Sequence, residues 1–280
     1  MTARMTAPMV RARKRNGAPL VMLTAYDAPS ARIVDQAGAD IVLVGDTVAM
    51  VVLGYDDTLQ VGMEDMVHHV AAVARARPSA MVVGDLPWMS YHVSREEAVR
   101  NAARLIRAGA QAVKLEGGCK RLEAVSAIID AEIPVMGHIG LTPQSVHQLG
   151  GYRIQGKGLD DATALVDDAV ALAGAGSFAI GLECVPGAVG KMVTDSVDVP
   201  VVGIGAGPHC DGQVLVFHDL LGLGDQPVAR FVRQYATLRA DALSAVTRFA
   251  ADVRSGNYPS EEESYYLAGD PSRPLDAARH

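Results

Sequence analysis

Ionisable side chains stand where aliphatic runs stop. Asp46 closes Ile41-Val42-Leu43-Val44-Gly45-Asp46, and Asp85 closes Met81-Val82-Val83-Gly84-Asp85. Lys114 and Glu116 share the run Ala112-Val113-Lys114-Leu115-Glu116, Glu183 closes Phe178-Ala179-Ile180-Gly181-Leu182-Glu183, and His138 ends Ile133-Pro134-Val135-Met136-Gly137-His138. Carboxylates gathered in one pocket repel, and they all stay ionised only if a cation sits among them. Oxygen donors without thiolates or paired imidazoles favour Mg2+ or a similar hard ion. Asp46, Asp85 and Glu116 are therefore the candidate metal-site residues, either directly or through water. An α-keto acid chelated to such an ion has a polarised carbonyl and an acidified neighbouring carbon. Lys114 could neutralise the substrate carboxylate or an enolate, His138 could hold an oxygen, and Glu183, if set away from the ion, could remove the proton. A partner electrophile would complete a carbon–carbon bond. Taken singly, each acid is as readily a helix cap or a surface pair, so the weight rests on the recurrence.

That chemistry needs one architecture. Near-continuous aliphatic runs are strands buried on both faces, as in parallel sheets. Strands are expected over residues 21–27, 41–47, 81–85, 112–116, 133–138, 178–183, 199–207 and 213–217, with helices between most of them. Ala37-Gly38-Ala39, Ala108-Gly109-Ala110 and Ala173-Gly174-Ala175 repeat one tight link from helix to strand. Eight such units predict a single α/β domain, a (β/α)8 TIM barrel, in which every strand opens its C-terminal end on one face. The boundaries read as a mobile N-terminal segment over 1–18, the barrel over 19–254 with a helical extension over 227–253, and a tail over 255–280. Strands seven and eight lie too close in sequence for a full helix between them. Residues 141–160 form the longest stretch without a clear element and read as a lid or binding segment.

Bulk composition excludes several classes. Of the 280 residues, 49% are hydrophobic and only 5% aromatic, which suits small-faced helices on buried strands. A formal charge of −7 argues against nucleic acid or an anionic membrane as partner. Cys119, Cys184 and Cys210 form no C-x-x-C pair and point to a reducing, cytoplasmic setting. The basic run Arg11-Ala12-Arg13-Lys14-Arg15 is read as solvated.

Taken together, Leu23-Thr24-Ala25-Tyr26-Asp27, Val44-Gly45-Asp46, Asp85-Leu86-Pro87, Val113-Lys114-Leu115-Glu116-Gly117-Gly118, Gly137-His138-Ile139-Gly140-Leu141-Thr142-Pro143-Gln144-Ser145, Leu182-Glu183-Cys184-Val185-Pro186 and Gly203-Ile204-Gly205-Ala206-Gly207 carry a resemblance. From about Pro19 to Gly222 the chain resembles the ketopantoate (3-methyl-2-oxobutanoate) hydroxymethyltransferases of pantothenate biosynthesis, with a weaker echo in Asn257-Tyr258-Pro259-Ser260-Glu261-Glu262. The resemblance implies transfer of a one-carbon unit from 5,10-methylenetetrahydrofolate to α-ketoisovalerate, with Mg2+ holding the keto acid. It implies that Asp46, Asp85 and Glu116 belong to the metal site, that Asp46, Thr47, Asp85 and Lys114 touch the keto acid, and that Glu183 accepts the proton. His138 matches a further substrate-site position, and a large homo-oligomer, typically a decamer, is expected. Thr47 stands where the family usually has Ser, adding a methyl and a stiffer χ1 beside the substrate. Gly54-Tyr55-Asp56-Asp57-Thr58 varies a loop that often reads Gly-His-Asp-Ser-Thr.

Two other readings compete. A metal-dependent lyase or mutase of the isocitrate lyase and phosphoenolpyruvate mutase kind would want a reactive cysteine in a flexible loop, for which Cys119 in Gly117-Gly118-Cys119-Lys120 is a poor match. A non-catalytic barrel that binds keto acid or folate would have no need of a base such as Glu183.

Overall fold

The structure is a computed structural model and describes residues 4–267. Eight parallel strands close into a barrel in sequence order: β1 (Leu20–Thr24), β2 (Ile41–Val44), β3 (Met81–Asp85), β4 (Ala112–Glu116), β5 (Val135–Gly140), β6 (Ala179–Glu183), β7 (Val201–Ile204) and β8 (Gly212–Leu215). The expected (β/α)8 fold is thus observed. Side chains alternate across each strand. Ile41, Leu43, Met81, Val83, Ala112, Met136 and Ala179 fill the barrel interior, while Val42, Val44, Val82, Val113, Val135 and Ile180 pack outward beneath the helices.

The helices in chain order are α1 (Ala7–Asn16), α2 (Ala28–Gln36), α3 (Val48–Val51), α4 (Met63–Arg75), α5 (Arg95–Ala108), α6 (Leu122–Asp130), α7 (Val146–Leu149), α8 (Leu159–Gly174), α9 (Gly187–Ser196), α10 (Phe217–Leu221) and α11 (Leu238–Ser255). The first strand stops three residues short of its expected end because Asp27 caps α2, accepting from the Ser30 N–H at 2.8 Å. The expected final helix begins at Leu238 instead of 227, and no residue of it is buried. Residues 141–160 are not featureless, since they hold a 3-10 turn at Pro143–Ser145, α7 and the start of α8. Of the expected tail, 268–280 lie outside the described residues.

No helix separates β7 from β8. Both strands are only four residues long, so residues 205–211 suffice to return the chain, turning at Gly205 (φ 62°) and Gly207 (φ 80°). The seam pairs two residues, Val202 with Gly212 and Gly203 with Gln213. Asp211 reinforces it, its carboxylate accepting from the Val201 N–H at 2.8 Å and pairing with Lys14 at 2.9 Å.

The N-terminus requires a correction. Residues 7–16 of the expected mobile segment form α1, which covers the N-terminal end of the barrel; residues 1–3 lie outside the described set. Val10 is 0% exposed and packs in the same cluster as Leu20, Met22 and Ile41. Three of the four cations in the basic run are paired, while Arg15 is exposed. Arg11 meets Asp198 at 3.0 Å, Arg13 meets Asp40 at 3.0 Å, and the Lys14 ammonium also donates to the Thr194 carbonyl at 2.6 Å. These acids precede β2, β7 and β8, so the cations lie at the end of the barrel opposite the strand C-termini. Sequence alone could not reveal the pairing, because its partners are as much as 197 residues away. Val10→Ala should leave a small cavity and cost about 2 kcal/mol. Urea unfolding should show a lower midpoint with an unchanged slope, and turnover should be unaffected because α1 is remote from the open face.

Candidate active site

At the C-terminal end of the barrel, period-2 alternation brings the polar side chains inward. Lys114 and Glu116, two apart on β4, face the same side. The register sets Asp85 beside Lys114 and Glu116 beside His138, and sets Gly140 beside Glu183. Asp46 follows β2, and Thr47 opens the single turn α3. All six predicted site positions other than Glu116, namely Asp46, Thr47, Asp85, Lys114, His138 and Glu183, line one cavity, and Glu116 lines it too. Val202, Ile204, Val214 and Val216 supply an apolar wall.

The charges are unevenly matched. The Lys114 ammonium donates to Asp85 Oδ2 at 2.6 Å and lies 3.7 Å from Glu116 Oε1. Asp46 meets the same group through its backbone N–H, which donates to Asp85 Oδ2 at 3.3 Å. Burial and then the neighbouring Asp85 push the Asp46 carboxyl up to about 7, against the opposing pull of Lys114 and Gln144. Burial likewise drives Glu116 well above the usual carboxylate range, with Lys114 opposing. Burial alone would lower the Lys114 ammonium, but Asp85, Glu116 and Asp46 together raise it, so it stays charged. Three buried carboxylates thus share one lysine.

Asp85 Oδ1 and Glu116 Oε1 are buried without a hydrogen-bond partner. Orphaned anionic oxygens beside raised carboxyls are a donor set suited to a divalent cation. Among the described residues no three of His, Cys, Asp and Glu form a ready-made ligand group. An ion here would draw on carboxylate oxygens from separate strand ends and complete its shell with water and substrate.

Glu183 stands apart. Its side chain is 17% exposed, against 1% for Asp85 and 2% for Glu116, and it lies across His138 from the charged cluster. His138 Nε2 is 3.3 Å from Glu183 Oε2 and Nδ1 is 3.6 Å from Glu116 Oε1, while neither nitrogen makes a formed hydrogen bond. Gly140 makes this placement possible. It holds φ 89°, and a Cβ there would lie 2.2 Å from the Glu183 carbonyl oxygen, so only glycine lets the end of β5 pass beside β6.

Sequence reasoning missed three members of the site. The Tyr26 hydroxyl shares a 2.7 Å hydrogen bond with Thr47 Oγ1, and its backbone carbonyl is bonded by His69 Nδ1 at 2.8 Å. That bond orients the Thr47 hydroxyl and sets where its extra methyl falls. Gln144 and Tyr91, both buried, sit beneath Asp46 and Glu116. Gln144 lay inside a quoted motif and Tyr91 in a loop without pattern, so no periodicity marked either.

The chain as a whole matches known proteins. The sequence pattern of the ketopantoate hydroxymethyltransferases matches residues 4–261. The chain belongs to that family. It is 53% identical over 266 residues to 3-methyl-2-oxobutanoate hydroxymethyltransferase of Syntrophomonas wolfei, covering 95% of this chain and 96% of that one. It is 56% identical over 252 residues to the enzyme of the same name from Ignicoccus hospitalis, covering 90% and 95%. Among solved structures, phosphoenolpyruvate phosphomutase from Streptomyces platensis superposes with a TM-score of 0.60 at 16% identity, covering 90% of this chain and 88% of that one. A 2,3-dimethylmalate lyase of the PEP mutase/isocitrate lyase superfamily gives 0.58 at 17%, covering 93% and 92%. At such identities the likeness establishes the shared barrel and nothing of the chemistry. This member of the hydroxymethyltransferase family is thus a transferase on a barrel that lyases and mutases also use.

The shared lysine makes a distinct prediction. Lys114→Met leaves three buried carboxylates without a countercharge and should cost about 3–5 kcal/mol near pH 8. Acids whose folded pKa is raised favour the fold while protonated and oppose it once ionised. The deficit should therefore shrink as pH falls from 8 to 5, as read from urea midpoints of wild type and variant at each pH without added metal.

Proposed function

We propose that the chain converts 3-methyl-2-oxobutanoate (α-ketoisovalerate) to 2-dehydropantoate, taking the one-carbon unit from 5,10-methylenetetrahydrofolate with Mg2+ as cofactor. The observation that carries this reading is the separation of roles in the cavity: a lysine-bound carboxylate cluster on one side and the more open Glu183 on the other. Asp46, Asp85 and Glu116 would hold Mg2+, directly or through water, each having one oxygen engaged by the protein and the other not. When bound, Mg2+ would act as a Lewis acid on the keto acid and acidify its C3–H.

The protein's own groups do the rest. Lys114 supplies positive charge where the substrate's oxygens gather, and the Thr47 hydroxyl, held by Tyr26, offers them a hydrogen bond. The apolar wall suits the isopropyl group. Glu183 accepts the C3 proton, and the neighbouring His138 is placed to steady the charge that changes there. The C3 carbon bonds the folate-borne carbon, both bonds from that carbon to folate nitrogen break, water supplies the hydroxyl group, and the two nitrogens take up the C3 proton and the remaining water proton.

The lyase or mutase reading has less support. Cys119 is exposed, its backbone N–H is bonded by Asp168 at 2.7 Å, and it does not line the cavity. A purely binding role leaves Glu183 without a task. Cytoplasmic location belongs to the same proposal, supported by three unpaired cysteines; among the described residues no helix is long and apolar enough to cross a membrane. So does a homo-oligomer, a decamer by family resemblance. Its support is α11, which buries nothing in its own chain and exposes Leu243, Val246, Phe249 and Val253. Light scattering should give a mass several times 29.4 kDa, and a monomer would overturn the assembly.

Proton exchange at C3 of 3-methyl-2-oxobutanoate in D2O with Mg2+, followed by product formation on adding the folate, tests the scheme. Glu183→Gln should abolish exchange while keto-acid binding survives; loss of binding instead would make Glu183 a structural or metal group. Because burial and Asp85 push the Asp46 carboxyl up to about 7 and it must ionise to ligate, Mg2+ affinity should fall as pH drops below about 7. Isothermal titration across pH 5.5–8.5 reads this directly.

A further inference from the structure

We propose that Gln144 is the positioning residue that decides which carboxylate oxygens face the cation site. The inference rests on the Mg2+ site proposed above and goes beyond it, since Gln144 does not line the cavity.

Gln144 is 5% exposed, and its side-chain amide and backbone N–H are all engaged. Its side-chain Nε2 donates to Asp46 Oδ2 at 2.8 Å and to the Leu86 carbonyl at 3.0 Å, using both amide hydrogens. Its Oε1 meets the Tyr91 hydroxyl at 2.5 Å, and its backbone N–H donates to Glu116 Oε2 at 2.9 Å. The amide has only one tenable orientation. Flipping it would aim Oε1 at a carboxylate and a carbonyl, acceptor against acceptors, and leave the phenol facing NH2. Tyr91 is itself held, accepting from the Glu116 N–H at 3.2 Å and lying 3.2 Å from the Glu116 carbonyl. Its one proton goes to the shorter contact with Gln144.

The consequence is a division of oxygens. Gln144 engages Asp46 Oδ2 and Glu116 Oε2, while Lys114 engages Asp85 Oδ2. Asp85 Oδ1 and Glu116 Oε1 are the buried oxygens left without hydrogen bonds, and Asp46 Oδ1 is the atom its clamp leaves unused. Three carboxylates from three strand ends are thereby each turned with one oxygen committed to the protein and one kept for a cation. Gln144 donates to groups after β2, after β3 and at the end of β4 while sitting in the connection after β5, so seating that connection and aligning the carboxylates are one event. Groups that orient metal ligands in this way typically account for 10- to 100-fold in metal affinity.

The test reads metal binding rather than turnover. Mn2+ bound to the full-length protein without substrate is titrated by electron paramagnetic resonance for wild type, Asp46→Asn, Gln144→Met and Tyr91→Phe. Wild type should bind Mn2+ and Asp46→Asn should lose it. Gln144→Met should weaken Mn2+ roughly 10- to 100-fold, and Tyr91→Phe should weaken it less, because the amide loses its anchor but keeps its donors. In steady state, Gln144→Met should raise the Mg2+ concentration for half-maximal rate, with kcat largely recovered at saturating Mg2+. Wild-type Mn2+ affinity in Gln144→Met, with only a lowered melting temperature, would mean a merely structural glutamine and overturn the clamp. Failure of wild type itself to bind Mn2+ would overturn the metal reading beneath it. If Gln144→Met does not fold, unchanged Mn2+ affinity in Tyr91→Phe would refute the proposal on its own.

Discussion

Everything at the open end of this barrel is arranged around an excess of buried negative charge. Asp46, Asp85 and Glu116 are almost wholly removed from water and share one ammonium group, Lys114. Taking a carboxylate out of water is costly unless it is paired and hydrogen-bonded. One lysine cannot compensate three acids, and the raised carboxyls of Asp46 and Glu116 express that deficit as a tendency to hold protons. The rest of the site reads as ways of living with it: a hydrogen-bond frame from Gln144 and Tyr91, a hydroxyl pair in Tyr26 and Thr47, and two oxygens left unsatisfied. A protein selected for stability alone would gain by replacing these acids with apolar groups. Their presence is a cost borne for chemistry, which is where local rules are expected to fail.

The barrel supplies the rigidity such a cluster needs. Parallel strands in register project alternate residues inward in layers. The lower layers, with Met22, Ile41, Leu43, Met81 and Met136, are apolar, and α1 closes them from beneath. The top layer carries the polar groups, so the same alternation that packs the core also aims the chemistry. The fourth carboxylate is kept separate by its strand. Glu183, on β6, is parted from the cluster by the His138 ring and is the carboxylate most open to an incoming molecule. The same scaffold in phosphoenolpyruvate phosphomutase and 2,3-dimethylmalate lyase shows that the barrel does not choose the reaction. The choice lies in which side chains crown it.

Much of this was legible in the amino-acid order because each signal was local. A strand buried on both faces must be an aliphatic run, and a charge at its end stands out against that background. Hence Asp46, Asp85, Lys114, Glu116, His138 and Glu183 could all be named before any fold was seen, and eight such runs implied the barrel that gathers them. Local signals also misled. A basic run near the N-terminus looked solvated because its partners, Asp40, Asp198 and Asp211, come from distant turns. The short β7–β8 link looked like a flaw until strand length was known, since a four-residue strand needs little chain to return.

The sequence by itself determined the period of the strands, the chemical identity of the groups at their ends and the family to which the chain belongs. These depend on the order of residues over short spans. Only the tertiary structure decided which oxygen of each carboxylate is committed to the protein, that Glu183 is the open acid, and that Tyr26 holds Thr47 and Gln144 holds Asp46. Those facts depend on the direction of hydrogen bonds between residues up to 98 apart, and on burial, which sets how much each charge costs. A one-dimensional pattern carries neither. The folded barrel carries both, because it is closure of the sheet that brings the strand ends within a hydrogen bond of one another.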